Sequence, residues 1–102
     1  MNYYDIVSKE KSLAIEFEGG TLTVIYDRTF FTRKNADPKK GELQRDYNIR
    51  MLVGCLKDWD LCFGADKAEI SEETFRDRLL DSFTDYIWKK IAEDSENFTK
   101  RV

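Results

Sequence analysis

The side chains in this chain that are able to do chemistry are carboxylates and two thiols. Asp58 and Asp60 lie close together, and Glu72 and Glu73 are adjacent. Paired carboxylates can divide the roles of general acid and base when their surroundings push their pKa values apart. Here each pair falls at the end of a predicted helix, where carboxylates are solvated, so no catalytic dyad is assigned. The chain contains no His. That removes the imidazole base, the His metal ligand, and the Ser-His or Cys-His nucleophile pair. Cys55 and Cys62 stand seven apart with no further thiol, which is not a zinc spacing. Asp58, Asp60 and Asp66 lack the regular acidic spacing, central Gly and terminal Glu of a calcium loop. Gly19-Gly20 is accounted for by a turn rather than by a phosphate-binding loop. The reading is a non-enzyme without a catalytic site, cofactor or metal.

The remaining chemical signal is aromatic. Seven Phe, five Tyr and two Trp exceed what a core of this size hides, and aromatic side chains anchor interfaces because they bury large area at little rotamer cost. Trp88 falls on the polar side of a predicted helix. Phe30-Phe31 forms an apolar plug in a basic stretch with Arg33 and Lys34. These five residues are the candidate partner-binding set. The competing structural reading tucks a Phe under its own loop and packs Trp88 under the N-terminal segment.

The elements that must position them are organised around 51–61, the densest apolar stretch. As a helix, Ile49, Leu52, Cys55, Leu56 and Trp59 share one face, with Arg50 and Lys57 roughly opposite. The spacing predicts a helix over 42–60, interrupted only by Gly54. A Gly there costs about 1 kcal/mol relative to Ala, and it lets another element approach closely. Before this helix, 13–26 predicts a β-hairpin. Leu13, Ile15 and Phe17 alternate with Ala14 and Glu16, Leu22, Val24 and Tyr26 alternate with Thr23 and Ile25, and Gly19-Gly20 supplies the turn. The matching register sets Phe17 opposite Leu22, Ile15 opposite Val24 and Leu13 opposite Tyr26. An isolated hairpin is marginal in water, so this face must rest on helices.

Residues 27–41 read as a loop, with Thr32 placed to cap a short helical turn ending before Pro38. Residues 61–70 read as a second loop. Ser71 reads as an N-cap, with Glu72 and Glu73 favourable in the first turn. Residues 71–94 predict a helix, or a helix pair broken near Arg78-Leu79, with Leu79, Leu80, Phe83, Tyr86, Ile87 and Ile91 on one face. Residues 95–102 read as a frayed tail. Residues 1–12 stay open between a short strand and a tail packed on the hairpin. The fold class is therefore α+β: an N-terminal antiparallel β-hairpin packed on two to three C-terminal α-helices. The predicted core is Ile15, Phe17, Val24, Leu52, Leu56, Trp59, Phe83 and Ile87.

One hundred and two residues make a single domain, 1–102. A net charge of −3 argues against nucleic acid as a partner, because phosphate contacts need clustered cations. The charge is uneven. Residues 28–50 hold seven basic and three acidic side chains, and 58–96 hold twelve acidic and five basic. A bipolar unit of this kind can stack head to tail or steer an oppositely charged partner. The N-terminus has no signal-peptide pattern, no apolar run reaches the roughly 18 residues of a membrane span, and two cysteines do not frame a secreted domain. The expected location is the cytoplasm.

The order of features resembles the tail assembly chaperones of long, non-contractile-tailed (siphovirus-type) bacteriophages. A hairpin runs into Val24-Ile25-Tyr26-Asp27-Arg28-Thr29-Phe30-Phe31-Thr32, similar to that family's strand, Tyr and Thr-containing turn. Leu56-Lys57-Asp58-Trp59-Asp60-Leu61 is similar to its Trp-Asp-Leu stretch, and Ile70-Ser71-Glu72-Glu73 to its acidic helix cap. Ile91-Ala92-Glu93-Asp94 matches the end of its last helix, so the resemblance covers about 13–95. The chain departs from the pattern in lacking Pro in 62–69 and near Arg78-Leu79. The resemblance implies a non-enzymatic chaperone that coats and solubilises the helical tape measure protein, recruits tail tube protein, and can self-associate. It also implies a short form paired with a longer, frameshifted one. The rival reading is a small phage or bacterial regulatory or inhibitor protein that binds one globular host target.

Overall fold

The computed structural model describes residues 1–7 and 9–96. The fold is α+β, with an N-terminal antiparallel hairpin followed by helices. Strands β1 (Glu10–Phe17) and β2 (Gly20–Asp27) form the hairpin. Ile15 pairs with Leu22, Leu13 with Val24 and Phe17 with Gly20. This register lies two residues from the predicted one. The slip keeps every side chain on its face, because strand side chains repeat every two residues. The turn is Glu18-Gly19, and only Gly20 carries a positive φ, at 152°. Alternation then buries Ile15, Leu22, Val24 and Tyr26 and leaves Thr21 and Thr23 in solvent.

The connection at 27–41 is more ordered than a loop. Asp27 caps a 3-10 turn at Arg28–Phe30, its Oδ1 accepting from Thr29 N at 2.9 Å. One helical turn, α2, spans Arg33–Ala36, with Thr32 as N-cap through its backbone carbonyl. At the chain start, Tyr3–Ile6 forms another single turn, α1, rather than a strand or a packed tail. Its Tyr3, Tyr4 and Ile6 are exposed.

The largest correction falls on the predicted helix over 42–60. Helix α3 covers Gln44–Cys55 and stops there, and Leu56–Trp59 is extended as strand β3. β3 adds antiparallel to β2, giving sheet order β1-β2-β3, with Val24 opposite Trp59 and a bulge between Ile25 and Tyr26. The outer edge of β2 carries backbone groups that need partners, and β3 supplies them. Asp60 extends the pairing: Thr23 N donates to its Oδ1 at 2.9 Å, and its own N donates to Thr23 O at 3.2 Å. Leu56 and Trp59 remain buried, as their apolar spacing demands, but a bulged strand rather than a helix buries them. Trp59 Nε1 donates to Ala68 O at 2.8 Å, and its ring lies 5.5 Å from that of Phe75.

The predicted loop over 61–70 holds a small second sheet, β4 (Cys62–Phe63) against β5 (Asp66–Lys67), turning at Gly64 with φ 63°. Ser71 Oγ accepts from Thr74 N at 3.2 Å and starts the next helical segment. Over Thr74–Arg78 that segment widens to π geometry, with Leu79 N donating to Thr74 O. Leu79 and Leu80 are extended, so the chain breaks there before α4, Asp81–Ser95. The frayed tail expected over 95–102 lies mostly outside the described residues. The described part is Ser95, which ends α4 with Oγ donating to Ala92 O, and Glu96.

The sheet's apolar face packs on α3 and α4. The core joins Ile15, Leu22, Val24 and Tyr26 to Ile49, Leu52, Cys55, Leu56, Trp59, Phe75, Ile87 and Ile91. Of the predicted core, Ile15, Val24, Leu52, Leu56, Trp59 and Ile87 are buried. Phe17 and Phe83 are only half-buried, stacked on each other at 5.2 Å near the hairpin turn. The charge segregation along the sequence does not produce two separate poles, because α3 lies against α4 and Arg45 pairs with Asp81 at 3.3 Å.

Candidate partner-binding surface

The predicted aromatic set is brought together, but chiefly as packing. Phe31 stacks on Trp88 at 5.8 Å and 21°, and meets Tyr26 edge-on at 6.1 Å. Tyr47 meets Trp88 edge-on at 5.9 Å. Trp88 thus packs under the 27–41 connection and α3, not under the N-terminal segment. Phe30 rests on Gly54, where a Cβ would lie 2.7 Å from its Cε1. Trp88 keeps a solvent edge in a shallow groove of about 390 Å³ shared with Phe31, Tyr47 and Ala92. Arg33 and Lys34 are exposed on α2 and make no ion pair among the described residues.

Arg50 locks this connection in place. Its guanidinium donates to Glu42 from Nε at 2.8 Å and from a terminal nitrogen at 3.0 Å, and to the carbonyls of Asn35 and Asp37. Tyr47 OH donates to Ala36 O at 2.6 Å. Hydrogen bonding from Arg50, helped by the Lys39 backbone N–H, holds the Glu42 carboxyl down at about 2. Burial pushes the Tyr47 phenol up.

Most of the chemistry-bearing residues of the sequence have structural partners. Asp58 pairs with Lys67, which lowers its pKa, and Asp60 holds the backbone of Thr23. Arg76 bridges Glu72 and Asp46 at 3.0 and 2.8 Å. Burial pushes the Cys55 thiol up to about 12, so it is a packing group rather than a nucleophile. Tyr26 donates to Asp94 at 2.6 Å, and Lys11 pairs with the same carboxylate at 3.1 Å, tying the end of α4 to the hairpin.

A different surface is apolar and open. Leu80 is 75% exposed and Tyr86 37%. With Phe17 and Phe83 they line a groove of about 480 Å³ beside the hairpin turn, edged by Glu16 and Glu18. Tyr86 lies 5.2 Å from the Phe17 ring and donates to Glu16 O at 3.3 Å, so the groove is tied to the sheet. The single apolar face expected over 71–94 divides in the structure. Thr84, Ile87 and Ile91 face the core, while Leu80 at the N-cap and Phe83 and Tyr86 on α4, spaced by three in the sequence, line the groove. That spacing was the available signal.

No helix among the described residues is long and apolar enough to cross a membrane. Neither a protein-family model, nor a curated protein, nor a solved structure matches this chain.

Proposed function

We propose that this chain is a non-enzymatic assembly chaperone of a siphovirus-type phage. In this role it holds the tape measure protein in solution in the bacterial cytoplasm, helps to recruit tail tube protein, and self-associates along its client. The observation that carries the reading is the open groove in which Leu80 and Tyr86 are exposed beside the half-buried Phe17 and Phe83, next to a complete core. Exposed apolar surface of this kind marks a protein interaction site. The client is the one that the resemblance to the tail chaperones implies. Nucleic acid and membrane have no part in the proposal.

The test is co-expression with the neighbouring long helical tail protein, measuring how much of it stays soluble and whether it co-purifies. The wild type should keep it soluble and Leu80→Ser should not. A client equally insoluble with and without the wild-type chain would reject the chaperone role and favour a regulator of one globular target.

A further inference from the structure

We propose that the groove between the hairpin turn and α4 is a seat for an amphipathic helix whose apolar stripe is flanked by Lys or Arg. This inference deepens the chaperone reading by naming the surface and the chemistry that fits it.

Three observations support it. First, apolar surface is left uncovered beside the core. Leu80 at the N-cap of α4 and Tyr86 on α4 are exposed, and with the half-buried Phe17 and Phe83 they line one groove, the kind of surface into which an amphipathic helix lays its apolar face. Second, the seat is built before any partner arrives. The Phe17–Phe83 stack forms its floor, and the Tyr86 bond to Glu16 O fixes α4 against β1. Third, the rim is acidic. Glu16 and Glu18, which edge the groove, are exposed and make no ion pair among the described residues. Asp81 is paired with Arg45, and Lys90, 5.4 Å from the Tyr86 ring centre, is not among the residues lining the groove. The field at the groove mouth is therefore negative, which favours a cationic flank and disfavours an acidic one.

The test uses two synthetic helices of about 18 residues, a length marginal for an isolated helix and so stabilised by docking. Both carry Leu at helical spacing. One is flanked by Lys and the other by Glu, and binding is read by fluorescence anisotropy. The Lys helix should bind, and the Glu helix should bind at least about tenfold more weakly. Leu80→Ser should weaken the Lys helix about tenfold or more, the effect of losing one buried leucine. Because Leu80 is exposed, this variant should keep its urea midpoint. Glu18→Lys should narrow the preference for the Lys helix, and raised salt should narrow it too.

Equal binding of both helices, or indifference to Leu80→Ser, overturns the proposal. So does absence of peptide binding together with self-association that Leu80→Ser abolishes, because the groove then belongs to a second copy. The two readings fail separately. Binding of the Lys helix without rescue of tape measure protein rejects the chaperone role and keeps the seat. Rescue that survives Leu80→Ser keeps the role and rejects the seat.

Discussion

The ring of Phe30 occupies the space that any side chain at position 54 would need. A Cβ built on Gly54 meets Phe30 Cε1 at 2.7 Å and its Cζ closer still. Ala is intrinsically favoured over Gly in a helix by about 1 kcal/mol. Overpacking of this kind costs about 1–3 kcal/mol. Gly54→Ala is therefore expected to lower the urea midpoint despite its better helix propensity. The double variant Gly54→Ala with Phe30→Ala should lose less than the sum of the two single variants. Strict additivity would show that the two positions do not compete for the same space.

Trp59 joins the sheet to the second loop, through its pairing with Val24 and its bond to Ala68 O. Trp59→Ala should cost about 3–5 kcal/mol, the usual range for a large buried aromatic. That is a large part of a small domain's stability. Trp59→Phe keeps most of the apolar contact and leaves the Ala68 carbonyl unpaired, so its midpoint should fall between those of Trp59→Ala and wild type in denaturant titration.

The Glu42–Arg50 pair sets an acid limb. Glu42 is held down to about 2, so its folded value lies below the ordinary carboxylate value and its charged form favours the fold. That contribution is complete above about 4.5 and is lost as the pH falls through about 2. Urea midpoints of wild type and Glu42→Gln should differ most near neutrality and converge as the pH drops across that window. A gap that stays constant down to the acid limit would mean that the carboxylate contributes no charge-dependent stability.

Tyr26 sets the alkaline limb. Burial first, and then its hydrogen bond to Asp94, raise its phenol above the ordinary value. Its contribution is complete below about 10 and is lost as the pH rises beyond that. In an alkaline titration, part of the tyrosinate absorbance should therefore appear only together with loss of the circular dichroism signal. Tyr26→Phe should remove that delayed part. It should also lower stability by about 1.5–3 kcal/mol, as expected for a hydrogen bond to a charged group.

The hairpin and most of the core were legible because alternation and helical spacing report burial directly, while the break near Leu79 stayed one of two open readings. Ile15, Val24, Leu52 and Ile87 are buried as their spacing requires. β3 was not legible because Leu56 and Trp59 satisfy helical spacing and bulged-strand spacing equally well, and a pairing with β2 decides between them. The hairpin register slipped by two because both registers put the same side chains on the same face. Trp88 stayed open between a partner anchor and a ring packed under the N-terminal segment, because helical position alone does not show that Phe31 and Tyr47 reach it from other elements. The open groove was hidden for the opposite reason: Leu80 looks like a core residue until the extended break at Leu79–Leu80 takes it out of the helix, and Tyr86 sits at the edge of the buried face of α4.

β2 lies between one strand that is its immediate neighbour in the chain and another that returns only after α3. The two halves of the sheet therefore form on different clocks. β1 and β2 meet across a two-residue turn, and such hairpins close in about 1–10 μs. β3 must first close a long loop, with its added entropy cost. During synthesis, a chain that has emerged only through α2 carries a hairpin with an open β2 edge and an apolar face still bare. It stays open to pairing with other nascent chains until Trp59 clears the ribosome and seals that edge.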